Sequence, residues 1–360
     1  MRYLIDIGHP AHVHYFKNFA KVVSSHGAEV LFTCRDKDVT ISLLEHYGFK
    51  YINFGRNYKS KAGKIFGLFY FTLKLFIVSL KYRPDMYLNA TIYSAVVAWI
   101  FRKPHISLED TFNKEQVNLY LPFTSCVLTG DYEHPSLGKN EINYSGYQEL
   151  LYLHPNHFRP DPVIYKELGL EKGTPYVIFR FVSWNASHDF GHKGISYENK
   201  IKAIKEFEKY ARVFISSESE LPDELKPNSI KINPHLMHDA IAFASLVIGE
   251  SFTMLSEAAI LGTPAILIHN TKCYYLQDQE IKYGLTYNYT ETEGDQIKAI
   301  NKGIELLRKS NLRNEWQHKQ NLLLNDKIDI TAFLVWFIET YPQSVKIIKE
   351  NPEYQNKFKV

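Results

Sequence analysis

Cysteine is scarce in this chain: Cys34, Cys126 and Cys273 are far apart and form no CxxC pair. An odd, scattered set in a long chain argues against a disulfide framework and fits a reducing, cytoplasmic setting. Glycine and proline number only 18 and 15, and with 45% apolar and 22% charged residues this excludes a fibrous or disordered chain. The formal charge is +3 with no long block of like charge, so no dedicated nucleic-acid surface is expected. A GxxxxGK[ST] loop is missing, as is a GxGxxG after the first strand, which removes P-loop nucleotidases and dehydrogenases. The N-terminus lacks the apolar stretch and cleavage site of a signal peptide and reads as a strand. The longest apolar run, Ile65 to Leu80, is interrupted by Lys74 and falls short of the ~20 residues that cross a bilayer.

That run has two readings. The first is a mostly buried core helix with solvated lysines at its ends. The second is peripheral contact with an anionic membrane through 56–83, because no acidic residue lies between Glu45 and Asp85 while Arg56, Lys64, Lys81 and Arg83 are basic.

The 360 residues exceed what one core usually organises, so two domains are expected. Short β-branched runs alternate with amphipathic stretches, the rhythm of βαβ units and parallel sheets. In the first half the strands are residues 1–7, 29–33, 51–54, 86–88, 105–108 and 126–129. A proline-containing stretch, 154–162, reads as a linker. In the second half the strands are 176–182, 213–216, 230–232, 246–248 and 265–268. The expected architecture is therefore α/β, with doubly wound domains at 1–156 and 157–330 facing a central cleft. A helical tail, 331–360, is expected to pack back across their junction. Ligands of such domains sit beyond the carboxyl ends of the strands.

The richest segment runs from Leu246 to Ala265. A strand ends at Gly249-Glu250-Ser251, Ser251 can cap the following helix, and Gly262-Thr263-Pro264 stops it. Amides at such a helix start can take a diphosphate, and Glu257, about two turns in, can accept from ribose hydroxyls. An ordinary capped strand-turn-helix is the plainer reading. His9, His12 and His14 follow the first strand at a strand-to-helix turn; His9 or His12 can act as base, with packing, capping or metal binding as the other uses. Glu109 and Asp110 end another strand and can orient a histidine, bind sugar hydroxyls or form a helix-start charge pair. The loop Ser183–Gly194, which includes Trp184, is rich in donors. Within it His188 and Asp189 suit an orienting pair, and Arg180 with Lys193 can neutralise a diphosphate. Residues 232–239 are placed to hold a base through backbone groups. Asp36-Lys37-Asp38 is formally a DxD metal triplet but is discounted, because such triplets occur by chance.

Gly249-Glu250-Ser251 with Ser256-Glu257-Ala258-Ala259 and Leu261-Gly262-Thr263-Pro264 resembles the donor-nucleotide motif of GT-B glycosyltransferases and UDP-N-acetylglucosamine 2-epimerases. Adding residues 6–14, 107–111 and 180–189, the chain resembles the family catalogued as domain of unknown function 354 over essentially its whole length. The resemblance implies a GT-B-like fold and a metal- and cofactor-independent glycosyltransferase. Such an enzyme takes a nucleotide diphosphate sugar, UDP-linked by analogy, and a glycan or lipid-linked acceptor in surface polysaccharide synthesis. A UDP-sugar 2-epimerase and a non-catalytic sugar-nucleotide binder are the alternatives. Glu250 departs from the pattern, since many such turns carry an uncharged residue there.

Overall fold

The computed structural model describes residues 1–56, 58, 60–89, 91–182 and 194–359. The chain divides into two compact units, Met1–Tyr152 with Lys327–Val360, and Leu153–Asp326. The tail is thus part of the first unit.

In the first unit seven strands form one parallel sheet in the order β3-β2-β1-β4-β5-β6-β7. They are β1 (Arg2–Ile7), β2 (Glu29–Asp36), β3 (Tyr51–Arg56), β4 (Met86–Leu88), β5 (His105–Leu108), β6 (Cys126–Gly130) and β7 (Glu141–Tyr144). The chain builds outward from β1 to β3 and then returns to the other side of β1, so the switch point lies between β1 and β4. Helix α1 (Pro10–Ser25) starts there. His9 is its N-cap, and Pro10 occupies a first position that needs no amide donor. Val13, Phe16, Phe19, Ala20 and Val23 recur at helical spacing and are buried. In the tail, helix Ile330–Glu339 is tied to this unit by Thr331 Oγ1 donating to Leu151 O at 2.6 Å, and Lys327 pairs with Asp131 at 2.9 Å.

Among the helices that follow in the first unit are α2 (Thr40–His46), α3 (Lys61–Tyr82) and α4 (Ile92–Ile100). Helix α3 corrects the core-helix reading of the apolar run. Phe71 and Leu75 are buried against Leu4, Phe54 and Tyr87, but Ile65, Phe66, Phe69, Leu73, Ile77 and Leu80 are exposed. The reason is geometric. Apolar residues surround the helix, and a sheet covers only one of its faces.

The second unit has a five-stranded parallel sheet in the order β12-β11-β10-β8-β9. Its strands are β8 (Tyr176–Phe181), β9 (Arg212–Ser217), β10 (Leu246–Gly249), β11 (Ala265–Ile268) and β12 (Thr286–Tyr289). The switch point lies between β8 and β10. Residues 230–232 are not a strand. Ser229 forms an isolated bridge to Ile215, and Ile230 N donates to Ile215 O at 2.9 Å, but the ladder goes no further between Pro227 and Pro234. Trp316 is fully buried and donates to Leu285 O at 3.1 Å, anchoring helix Leu312–Asp326 to this unit.

Candidate functional site

At the first switch point, Asp6 lies fully buried near the end of β1 and is held by three side chains, two from β2 and one from the cap of α4. Arg35 from β2 pairs with it at 2.8 Å, Thr33 donates at 2.7 Å and Thr91 at 2.6 Å. Arg35 also donates to Ile7 O at 2.8 Å, fixing the chain as it leaves the strand. Asn89, just beyond β4, donates through Nδ2 to Asp6 O at 2.7 Å and lies 2.7 Å from His12 Nδ1. Because a carbonyl can only accept, this bond fixes the orientation of the Asn89 amide. Its second N–H therefore points at His12 Nδ1, where the amide of Gly8 also donates at 3.3 Å.

The consequence is a defined histidine. With Nδ1 accepting, neutral His12 carries its proton on Nε2 and offers a donor there. Burial, and then the charges of His9, Arg35 and Lys37, hold its pKa well below the usual histidine value. His12 is thus placed as a neutral hydrogen-bond donor, not as the base that the sequence reading assigned to it. His9 is exposed, and its Nδ1 caps α1 by accepting from Ala11 N at 3.2 Å. That lone pair is likewise committed to the backbone. His14 does not join them; it is buried on α1, stacked on Tyr152 at 5.4 Å and 3.3 Å from Tyr47 Oη.

The two carboxylates after β5 diverge. Glu109 Oε1 accepts from Thr111 N, Thr111 Oγ1 and Phe112 N, each at 2.9 Å, and Oε2 accepts from the Tyr120 hydroxyl. These bonds commit Glu109 to shaping the turn. Asp110 instead accepts from Tyr15 Oη at 3.0 Å, and the Tyr15 ring lies 5.6 Å from that of His12. Burial, and then Glu109, push the Asp110 pKa up to about 7. A carboxyl poised near neutrality can take and return a proton.

At the second switch point, Gly249 is required by close approach: a Cβ there would lie 2.1 Å from Arg180 O. Glu250 is 2% exposed and turns into the protein. It accepts from Val182 N at 2.8 Å and Ile195 N at 2.7 Å, and Lys200 lies 3.7 Å away. Its charge therefore joins Val182 to Ile195 instead of facing an anion at the turn, which explains how a carboxylate is tolerated there. Ser251 caps helix Phe252–Ile260, accepting weakly from Met254 N at 3.5 Å. Glu257 lies within that helix, buried and 3.0 Å from His238 Nε2.

Arg180 is engaged at β9, donating to Ser216 Oγ at 2.9 Å and pairing with Glu218 at 2.5 Å. As the structure stands one end of its guanidinium is paired with Glu218, while its buried Nε has no hydrogen-bond partner among the described residues. Ser183, Trp184, His188, Asp189 and Lys193 lie outside the described residues. Residues 232–239 form a turn and the start of helix Met237–Phe243, and they contribute buried His238 and Asp239. Among the described residues, no group of three His, Cys, Asp or Glu could hold a metal ion. Sequence reasoning missed Arg35, Asn89 and His238. The signal for the first two was a polar side chain near the carboxyl end of a strand, at each side of β1.

Two doubly wound parallel-sheet domains of this kind define a GT-B fold, shared by GT-B glycosyltransferases and UDP-N-acetylglucosamine 2-epimerases. Residues 1–335 match the family described as "Protein of unknown function (DUF354)", and the chain belongs to that family. An uncharacterized protein of Methanocaldococcus jannaschii is 26% identical over 277 residues, which cover 73% of this chain and 80% of that one. Among solved structures, a Listeria monocytogenes protein assigned as a UDP-N-acetylglucosamine 2-epimerase has a TM-score of 0.68 at 12% identity, covering 95% of this chain and 96% of its own. The glycosyltransferase VinC, in complex with dTDP, has a TM-score of 0.59 at 12% identity, covering 98% of this chain and all of its own.

Proposed function

We propose that the chain is an enzyme of nucleoside-diphosphate sugars: a glycosyltransferase that moves a sugar from such a donor, UDP-linked by analogy, to a glycan or lipid-linked acceptor. The observation that carries the reading is the turn 249–251 at the second switch point. There a glycine-dependent close approach leads into a helix start, and the one carboxylate of the turn, Glu250, faces away from it. The helix start suits a diphosphate, and Glu257, one side of which meets His238, suits ribose hydroxyls. The GT-B fold, shared with a transferase that binds dTDP, supports the same assignment.

In the transfer, the acceptor hydroxyl gives its proton to the Asp110 carboxylate as its oxygen bonds to the anomeric carbon. The bond from that carbon to the diphosphate oxygen breaks, and the departing diphosphate carries the electron pair. His12 Nε2–H donates to an oxygen of the sugar or acceptor. A second reading, 2-epimerisation, is favoured by the same Asp110: a carboxyl near neutrality can remove and return a proton at C2. A UDP-sugar incubated without acceptor in heavy water separates the two, since only the epimerase yields a deuterated epimer.

The donor site is tested by thermal stability with UDP, GDP, ADP and dTDP. A ligand at 100 times its Kd adds about 2.7 kcal/mol to the folded state. One diphosphate is expected to raise the melting temperature, with the rise lost in Glu257→Ala and reduced in Glu257→Gln. No rise with any of the four removes the nucleotide-sugar reading. Binding without transfer or epimerisation leaves a catalytically silent binder.

A further inference from the structure

We infer that the exposed face of α3, extended by the end of α4, seats the protein on an anionic lipid surface, lying on the membrane and not crossing it. Ile65, Phe69, Leu73, Ile77 and Leu80 fall three or four residues apart and form one stripe, with Phe66 beside it. They are large and open to solvent; Ile65 is 63% exposed, Phe69 71% and Leu73 57%. At 1.5 Å per residue the stripe is about 22 Å long. Monomeric soluble proteins rarely leave so continuous an apolar strip bare. Helix α4 packs beside α3 through Phe76 and Phe101, whose rings are 5.1 Å apart, and ends in Trp99 and Ile100, which are 62% and 47% exposed. Tryptophan favours the boundary between water and acyl chains.

By length and composition α3 could cross a bilayer. Its other face shows why it does not. Phe71 and Leu75 are part of the core, and Lys74, the one charge within the run, donates to Phe54 O at 3.1 Å and lies over the Tyr70 ring at 4.5 Å. The charge that interrupts the apolar sequence is thus folded onto the protein, and the outward stripe from Ile65 to Leu80 carries none. Such a face sinks about 5–10 Å into the headgroup boundary.

Charge decides which occupant fits. From His46 to Leu108 the chain has ten basic residues and a single acidic one, Asp85. Asp85 is itself engaged, accepting from Arg2 N at 2.9 Å and lying 3.8 Å from Lys103 Nζ. Lys64 and Lys81 are exposed at the two ends of the stripe, followed by exposed Arg83. Arg102 and Lys103, with Trp99 and Phe123, line a depression of about 680 Å³. An apolar strip with a basic rim complements acyl chains beneath anionic headgroups. A second copy docked on the same face would set the two basic rims against each other.

The test uses the full chain and does not depend on any nucleotide or sugar. Partition is measured by flotation on vesicles of phosphatidylcholine, alone and with phosphatidylglycerol, at about 0.1 M and about 1 M salt, where the Debye length falls from about 10 to about 3 Å. Binding is expected on the anionic vesicles and should weaken with salt. Phe69→Asp with Leu73→Asp is expected to lower partition more than ten-fold. Lys64→Gln with Lys81→Gln, which leaves the apolar stripe intact, should lower it about five-fold per lysine on anionic vesicles only. Circular dichroism of both variants checks the fold. The inference is overturned if the native chain ignores anionic vesicles, or if the aspartate variant partitions as well as the native chain. It is equally overturned if that variant instead converts a dimer to a monomer, because a second copy then covers the face.

Discussion

Asp110→Asn should make the first domain more stable at pH 8 while abolishing turnover. The half-buried Asp110 carboxyl has its pKa raised from 3.8 to about 7, by desolvation first and by Glu109 second. A raised acid binds more protons folded than unfolded between those two values. Stability therefore falls as pH climbs from about 4 to about 7 and stays reduced above it. At 1.36 kcal/mol per unit, a shift of roughly three units sets a ceiling of about 4 kcal/mol. The residue is not fully enclosed, so solvent screening lowers the expected gain on neutralisation to about 2 kcal/mol. Asparagine keeps an acceptor for Tyr15 Oη and removes the charge. The assay is urea unfolding followed by pulse-labelling mass spectrometry on peptides from β1 and β6, which report the first domain alone. The variant should match the native chain at pH 4 and exceed it at pH 8. A native-minus-variant difference that does not change with pH, or a loss of stability at pH 8, refutes the account of Asp110 as a strained, near-neutral carboxyl.

Four other substitutions or measurements bear on the two switch points. Arg35→Met leaves Asp6 buried with only neutral partners and should cost about 3–5 kcal/mol in the first domain, read from the same labelled peptides; a near-neutral result would refute the Asp6–Arg35 pair as a support of the β1 end. Glu250→Gln keeps one acceptor where two amides need one, and should cost the second domain about 2–3 kcal/mol by urea unfolding, with unchanged stability arguing that Val182 and Ile195 find other partners. Gly249→Ala places a Cβ 2.1 Å from backbone oxygen and should cost about 3 kcal/mol or more, measured as a lowered midpoint; a full midpoint would show that the turn has room to shift. Nitrogen-15 NMR of the His12 ring should show a neutral Nε2–H tautomer through the range near 6.5 where an ordinary histidine titrates, and an Nδ1–H tautomer or a normal titration would undo the donor assignment.

The fold was legible because buried parallel strands have a sequence signature that survives alone. Ala265–Ile268, four apolar residues after a Gly-Thr-Pro stop, could be little else, and the structure begins and ends β11 there. Strands β7, Glu141–Tyr144, and β12, Thr286–Tyr289, escaped because each mixes polar with apolar residues. Both are edge strands, covered less evenly than the central ones. The segment 230–232 misled for the converse reason: two isoleucines around a lysine alternate like a strand, but nothing pairs with them beyond one bridge. Helix α3 shows the limit of composition. An apolar run tells how much surface wants burial, and only the sheet beneath it tells which half receives it.

At the site, the sequence supplied residue types and the places where strands end, but hydrogen-bond direction is invisible to it. Adjacent Glu109 and Asp110 read as equivalent, yet one organises a turn and the other sits near neutrality, because Thr111, Phe112 and Tyr120 all donate to the first. His12 read as a base until Asn89, 77 residues away, fixed which nitrogen accepts. Glu250 read as an obstacle to phosphate until its partners, Val182 N and Ile195 N, turned it into the protein. Backbone amides turn Glu109 and Glu250 into scaffolding and His12 is left as a donor, which leaves few groups for proton transfer. That economy is the strongest reason to look at Asp110 first: of the two carboxylates after β5, it is the one whose environment works against its charge.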